Sequence, residues 1–188
     1  MLSVAENPSL DEVARVEPLD RLDQVVSPLL RTVYAHWKKE RERGALPSTA
    51  SIDPTALKSA VDRLVLFEVV DGGKRFRYRV IGRTCAERVG VDLSGRYLED
   101  HPRPRFSSSA TNALREVVRT RQPHVFSALR AIEGHYWAYQ AVLLPCADGG
   151  DDVTRVLVGQ EFEPGAPRVD RPTVVTKMPA ESRRRLSA

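Results

Sequence analysis

The segment Leu64–Gly82, LVLFEVVDGGKRFRYRVIG, constrains this chain more than any other. Two β-patterned stretches flank Asp71-Gly72-Gly73-Lys74, and a helix-like run, Arg83–Val89, follows at once and closes on Gly90. A Gly-Gly pair between β-rich runs is a hairpin signal. Leu64–Val70 is nearly all apolar and β-branched, as a strand covered on both faces would be. Arg75–Val80 alternates instead: Phe76, Tyr78 and Val80 share one face, and Arg75, Arg77 and Arg79 the other. One side of that strand is expected in the core and the other in water.

Residues 1–20 are polar, acidic and interrupted by Pro8 and Pro18, which reads as a mobile acidic arm. Residues 21–44 form an amphipathic helix, because Val25, Val26, Leu29, Leu30, Val33, Tyr34 and Trp37 recur at three- and four-residue spacings. Ser27-Pro28 is a cap and first-turn pair, so the helix starts near 22 or near 27. Lys38, Lys39 and Gly44 mark its end. After a loop over 45–54, Asp53-Pro54 is placed to open a short helix to about Val61.

A second long helix is expected over Ser107–Arg121, with Ala110, Leu114, Val117 and Val118 on one stripe and Pro123 as its stop. Three strands follow, His124–Ala131, Tyr136–Pro145 and Val153–Phe162, separated by Glu133-Gly134 and by Asp148-Gly149-Gly150-Asp151. From residue 163 to 188 the chain carries four prolines and no periodicity, so a disordered basic tail is expected.

Charge narrows the partners. The net +4 is concentrated at the C-terminal end, where Arg168, Arg171, Lys177 and Arg183–Arg185 outnumber Glu163, Asp170 and Glu181. Residues 1–20 run the other way, with Glu6, Asp11, Glu12, Glu17 and Asp20 against Arg15. The folded part is therefore mildly basic and no polycation, so a nucleic-acid surface is permitted without being indicated. No run approaches the ~18 apolar residues of a membrane span, and residues 1–20 lack the basic and apolar regions of a secretory signal. A cytoplasmic location, with no membrane partner, is expected. Cys85 and Cys146 offer neither a disulfide framework nor a zinc cluster.

The order β-β-α-α-β-β-β, together with several short motifs, resembles a known family. The motifs are Tyr34 and Trp37 with the basic run after them, Leu46-Pro47, Ile52-Asp53-Pro54, Phe76–Thr84, Gly90–Arg96 and Leu143-Leu144-Pro145. The chain from about residue 27 to 162 is similar to the small, stand-alone bacterial PAS proteins of the PAS_5 type. That resemblance implies an α+β PAS fold over residues 45–162: a five-stranded antiparallel sheet with helices over one face, plus the N-terminal helix. It implies a sensory or regulatory role in signal transduction, exercised through a small-molecule ligand or a signalling-protein partner.

Such a sheet and its helices enclose a cleft that either admits a ligand or is filled by its own side chains. The inward candidates are Phe67, Phe76, Tyr78, Tyr97, Leu114, Val118, Trp137, Tyr139 and Val158. Both readings stay open. Gly82-Arg83-Thr84-Cys85 resembles the flavin-adduct motif of light-sensing PAS relatives, but it directly follows the second strand, whereas in those photoreceptors the motif lies one helix further on. Haem sensing calls for a histidine on the long helix, and Ser107–Arg121 has none; His36, His101, His124 and His135 lie elsewhere. Neither flavin nor haem is expected, and the cofactor stays unknown. No nucleophile elbow, phosphate loop or metalloprotease helix occurs, so catalysis is not expected either.

Arg75, Arg77 and Arg79 form either a solvated face or an anion- and partner-binding strip. The stripe Val26, Leu29, Leu30, Val33 and Trp37 packs either on its own sheet or against the same helix of a homodimer. A nucleic-acid-binding regulator using Lys38–Arg43, the arginine row and the tail is the alternative function.

Overall fold

The computed structural model describes residues 12–25, 27–132 and 135–162, with side chains placed over 15–25, 27–128 and 140–162. Six strands form one antiparallel sheet: β1 (Glu12–Pro18), β2 (Leu64–Val70), β3 (Arg75–Ile81), β4 (His124–Ile132), β5 (His135–Cys146) and β6 (Arg155–Phe162). Their spatial order is β1-β4-β5-β6-β2-β3. Three helices accompany them: α1 (Pro28–Arg41), α2 (Arg83–Val89) and α3 (Pro104–Thr120). The architecture is α+β as expected, with one strand more than the five read from the sequence.

The added strand is β1, inside the segment expected to be a mobile arm. It pairs with β4 from Glu12↔Arg130 to Pro18↔His124. An edge strand is bonded on one side only, so it accommodates charges and a proline; Glu12, Arg15, Glu17 and Pro18 disguised it for that reason. Residues 1–11 and the tail over 163–188 lie outside the described residues.

Helix α1 begins at the second of its two candidate starts. Ser27 is the cap, its hydroxyl accepting the Leu30 N–H at 3.4 Å, and Pro28 occupies the first turn. Leu30, Val33, Tyr34 and Trp37 are buried, and α1 packs on β5 and β6 of its own chain. The Trp37 indole N–H donates to the Pro145 carbonyl at 2.9 Å. Gly159 makes this packing close, because a Cβ there would stand 3.2–3.4 Å from Leu30, Val142 and Val33. Of the two packings open to the apolar stripe, the structure shows the one on its own sheet. Leu29 is only partly buried, and Val26 lies outside the described residues.

Adjacent strand residues point to opposite faces. Gly159 and Glu161 face α1, while Gln160 and Phe162 face α2 and the start of α3. The sheet is therefore sandwiched, α1 on one side and α2 with α3 on the other.

Three local expectations are corrected. Residues 54–60 are turns followed by a 3-10 turn at Val61–Arg63, not a short helix. The chain there runs so close that a Cβ on Gly82 would meet the Asp62 backbone at 2.5 Å. Helix α3 starts at Pro104, whose fixed φ suits a first turn, and Ser107 is no cap: its hydroxyl donates to the Leu98 carbonyl at 2.9 Å. Finally, the pairing slips between Leu66↔Val80 and Phe67↔Tyr78, leaving Arg79 as the extra residue of a bulge. The alternation breaks there, and Val80 is 54% exposed instead of sharing the core face.

Candidate functional site

Between the sheet and the α2–α3 layer, Phe67, Phe76, Tyr78, Leu114 and Val158 are all buried. The Phe67 and Tyr78 rings lie 4.5 Å apart and tilted, a favourable aromatic contact. Val118 sits at the hairpin end, 3.2 Å from where a Gly73 Cβ would stand. These residues fill the middle of the cleft. Trp137 and Tyr139 lie on β5, and their side chains are outside the described set.

Tyr97 belongs elsewhere. Residues 95–97 run along the free edge of β3, with the Tyr78 N–H donating to the Arg96 carbonyl and the Gly95 N–H to the Tyr78 carbonyl. The Arg77↔Tyr97 bridge puts the Tyr97 side chain on the arginine face, opposite the cleft. The Arg75 guanidinium lies 3.5 Å from its ring centroid, and Arg77 donates to its hydroxyl at 2.7 Å.

Space remains at one mouth of the cleft, in a recess of about 50 Å³. That is room for roughly four waters at the ~10–15 Å³ each needs, and far below the ~300–1,000 Å³ of drug-sized ligand pockets. Its floor is Val65 and Tyr78 with Ile81, its inner wall Gln160 and Phe162, and its rim Cys85, Arg88 and Val89 of α2. His101, Arg103 and Phe106 close the far side. Of the expected cleft residues whose side chains are described, only Tyr78 lines this recess. Gln160 and Phe162 could have been found by extending the alternation from Val158, whereas Arg88, His101 and Arg103 carry no local signal.

The chemistry of the recess is one-sided. Among the described residues lining it, none is acidic. The Arg88 guanidinium lies over the Phe162 ring at 4.3 Å. His101 is buried, and its Nδ1 accepts the Arg103 N–H at 3.1 Å, so its Nε2 carries the proton and is a donor. Burial, with the Arg63 charge nearby, lowers the Arg88 guanidinium from its usual range. Burial also pushes the Cys85 thiol up to about 12, against the pull of Arg63 and Arg88. A thiol so placed is protonated near neutral pH and a poor nucleophile.

The sheet thus carries the α2–α3 layer over its inner face, with a recess left at the mouth. The PAS_5 family model, described as a PAS domain, matches residues 25–159. The chain belongs to that family. PAS domains are sensory and regulatory modules, and this membership supports a role of that kind. No curated protein matches this PAS domain. A solved structure titled "Structure of an RNA-binding Light-Oxygen-Voltage Receptor" is similar to it at 14% identity and a TM-score of 0.45. The match covers 82% of this chain and 40% of that one, so the PAS domain spans well under half of that receptor's length.

The arginine row of this PAS domain is a neutralised network. Arg75 bonds Glu99, and Arg77 and Arg79 lie 3.6 and 4.0 Å from Glu68. Arg155 joins them, 3.7 Å from both Glu68 and Asp148. The hydrogen bonds to Glu99 and to Tyr97 hold Arg75 and Arg77 above the usual arginine range. No described helix is long and apolar enough to cross a membrane.

Proposed function

We propose that this PAS domain is a non-catalytic regulatory module that reads occupancy of the recess and reports it through α1. The supporting observation is the straddling position of residues 160–162. Gln160 and Phe162 line the recess on one face. Between them, on the opposite face, Glu161 accepts from the Ser27 hydroxyl at 2.9 Å and from Arg63. Ser27 caps α1. A ligand that moves Gln160 or Phe162 moves Glu161 with them, and the cap with Glu161. Binding then selects the α1 arrangement that suits the occupied recess.

The outward face of α1 carries Pro28, Arg31, Thr32, Ala35, Lys38 and Lys39. It is polar and cationic, which suits an acidic signalling partner. A homodimer through this face would set like charges against each other. The nucleic-acid alternative is weakened because the carboxylates within the arginine row offset most of its charge.

Hydrogen exchange tests the relay. Gln160→Trp fills the recess from the sheet side, and the expected result is altered exchange at the first-turn amides of α1 with the fold intact by circular dichroism. Unchanged exchange in α1 overturns the proposal.

A further inference from the structure

We propose that two copies of this chain join through β1, edge to edge and antiparallel, with Val16 on the two-fold axis; the inference stands apart from the recess. The two ends of the sheet are finished differently. At the β3 end, residues 95–97 lie along the strand and take up the Tyr78 N–H and carbonyl. At the other end β1 pairs with β4, and no described strand lies beyond it. Such an edge is a template for another strand.

The direction of its free groups follows from one bond. The Leu19 N–H donates to the Pro123 carbonyl at 2.8 Å. In an antiparallel ladder bonded pairs alternate, so Glu17↔Val125 and Arg15↔Ser127 are bonded pairs too, and Ala14 and Val16 turn their groups outward. Val16 thus offers both an N–H and a carbonyl at the edge. Pro18 has no N–H to offer, and its carbonyl accepts from the Gln24 side chain at 2.8 Å, which leaves it a second lone pair.

The side chains select both the occupant and the register. Arg15-Val16-Glu17 reads cation, apolar, anion, so an antiparallel copy centred on Val16 reads anion, apolar, cation. Arg15 of each copy then stands opposite Glu17 of the other, in a non-hydrogen-bonded pair where side chains approach closest. Glu17 is exposed and Arg15 partly so, and neither has an ion pair among the described residues. The two Val16 side chains meet on the opposite face, where Val16 alone is only partly buried. Centring the pair on Arg15 sets the two arginines against each other. Centring it on Ala14 puts Arg15 opposite Val13 and matches no charge within β1. The joined sheet ends in β3 on both sides, each lined by residues 95–97, so assembly closes at two copies.

Analytical ultracentrifugation of the whole chain, at concentrations rising to millimolar, tests this. The expected result is a monomer–dimer equilibrium without larger species, and a Val16 amide whose hydrogen exchange slows as concentration rises. Glu17→Arg should weaken the dimer by about ten-fold, because two opposite-charge pairs become like-charge pairs. Adding Arg15→Glu to it should restore the dimer, with circular dichroism unchanged throughout. Lys38→Glu, on the outward face of α1, should leave the equilibrium as it is. A monomer at every concentration overturns the proposal, as does growth beyond two copies or a Val16 amide indifferent to concentration. A dimer insensitive to Glu17→Arg, or a loss that Arg15→Glu does not repair, overturns the Val16-centred register. A dimer broken by Lys38→Glu instead places the contact on α1 and overturns β1 as the interface.

Discussion

The Ser27 hydroxyl donates to the Glu161 carboxylate at 2.9 Å, joining residues 134 positions apart in the chain. It ties the first turn of α1 to the far end of β6. An N-cap is worth about 1 kcal/mol in most helices, and here the capping side chain is itself held by the sheet. Ser27→Ala is expected to lower unfolding free energy by about 1–2 kcal/mol. Urea unfolding measures it, and faster hydrogen exchange should be confined to the first turn of α1.

Gly159 is where α1 and the sheet come closest, with Leu30, Val33 and Val142 all at 3.2–3.4 Å from a notional Cβ. Gly159→Val should therefore overpack the interface and cost about 1–3 kcal/mol. Combining it with Val33→Ala should recover part of that loss, a coupling that a double-mutant cycle reads directly.

Burial pushes both cysteine thiols from 9.0 up to about 12. In the unfolded chain they ionise first, so the folded state holds more protons across that window. Stability is complete below about pH 9 and then falls as pH rises toward 12, by on the order of 1.4 kcal/mol per pH unit for each thiol. Urea midpoints of wild type and of Cys85→Ala with Cys146→Ala, compared from about pH 8 to 10.5, should diverge in slope only at the alkaline end. Parallel slopes would contradict the burial assignment.

Tyr97 straps the edge of β3 by stacking under Arg75 and accepting from Arg77. Tyr97→Phe should cost about 1 kcal/mol through the lost hydrogen bond alone, and Tyr97→Ala more, because the stack goes too. Thermal unfolding of the two variants separates these contributions.

The hairpin over residues 64–81 was legible because its signals are local: a Gly-Gly turn and an alternation that put Phe76 and Tyr78 on the core face. Val80 was misread because a bulge is decided by the partner strand. Tyr97 was misread because an aromatic residue in a loop carries no mark of the face it will join. The arginine row was visible, yet its offsetting carboxylates Glu68, Glu99 and Asp148 come from three other segments.

By itself the sequence determined where most helices and strands form, since periodicity, caps and turns act within a few residues. Only the tertiary structure decided what each face meets: α1 against its own sheet, β1 on the edge of β4, and a recess assembled from residues between Val65 and Phe162. The reason is physical. A side chain's burial and its charge partners depend on chain closure over many tens of residues, and no local spacing records which closure occurs.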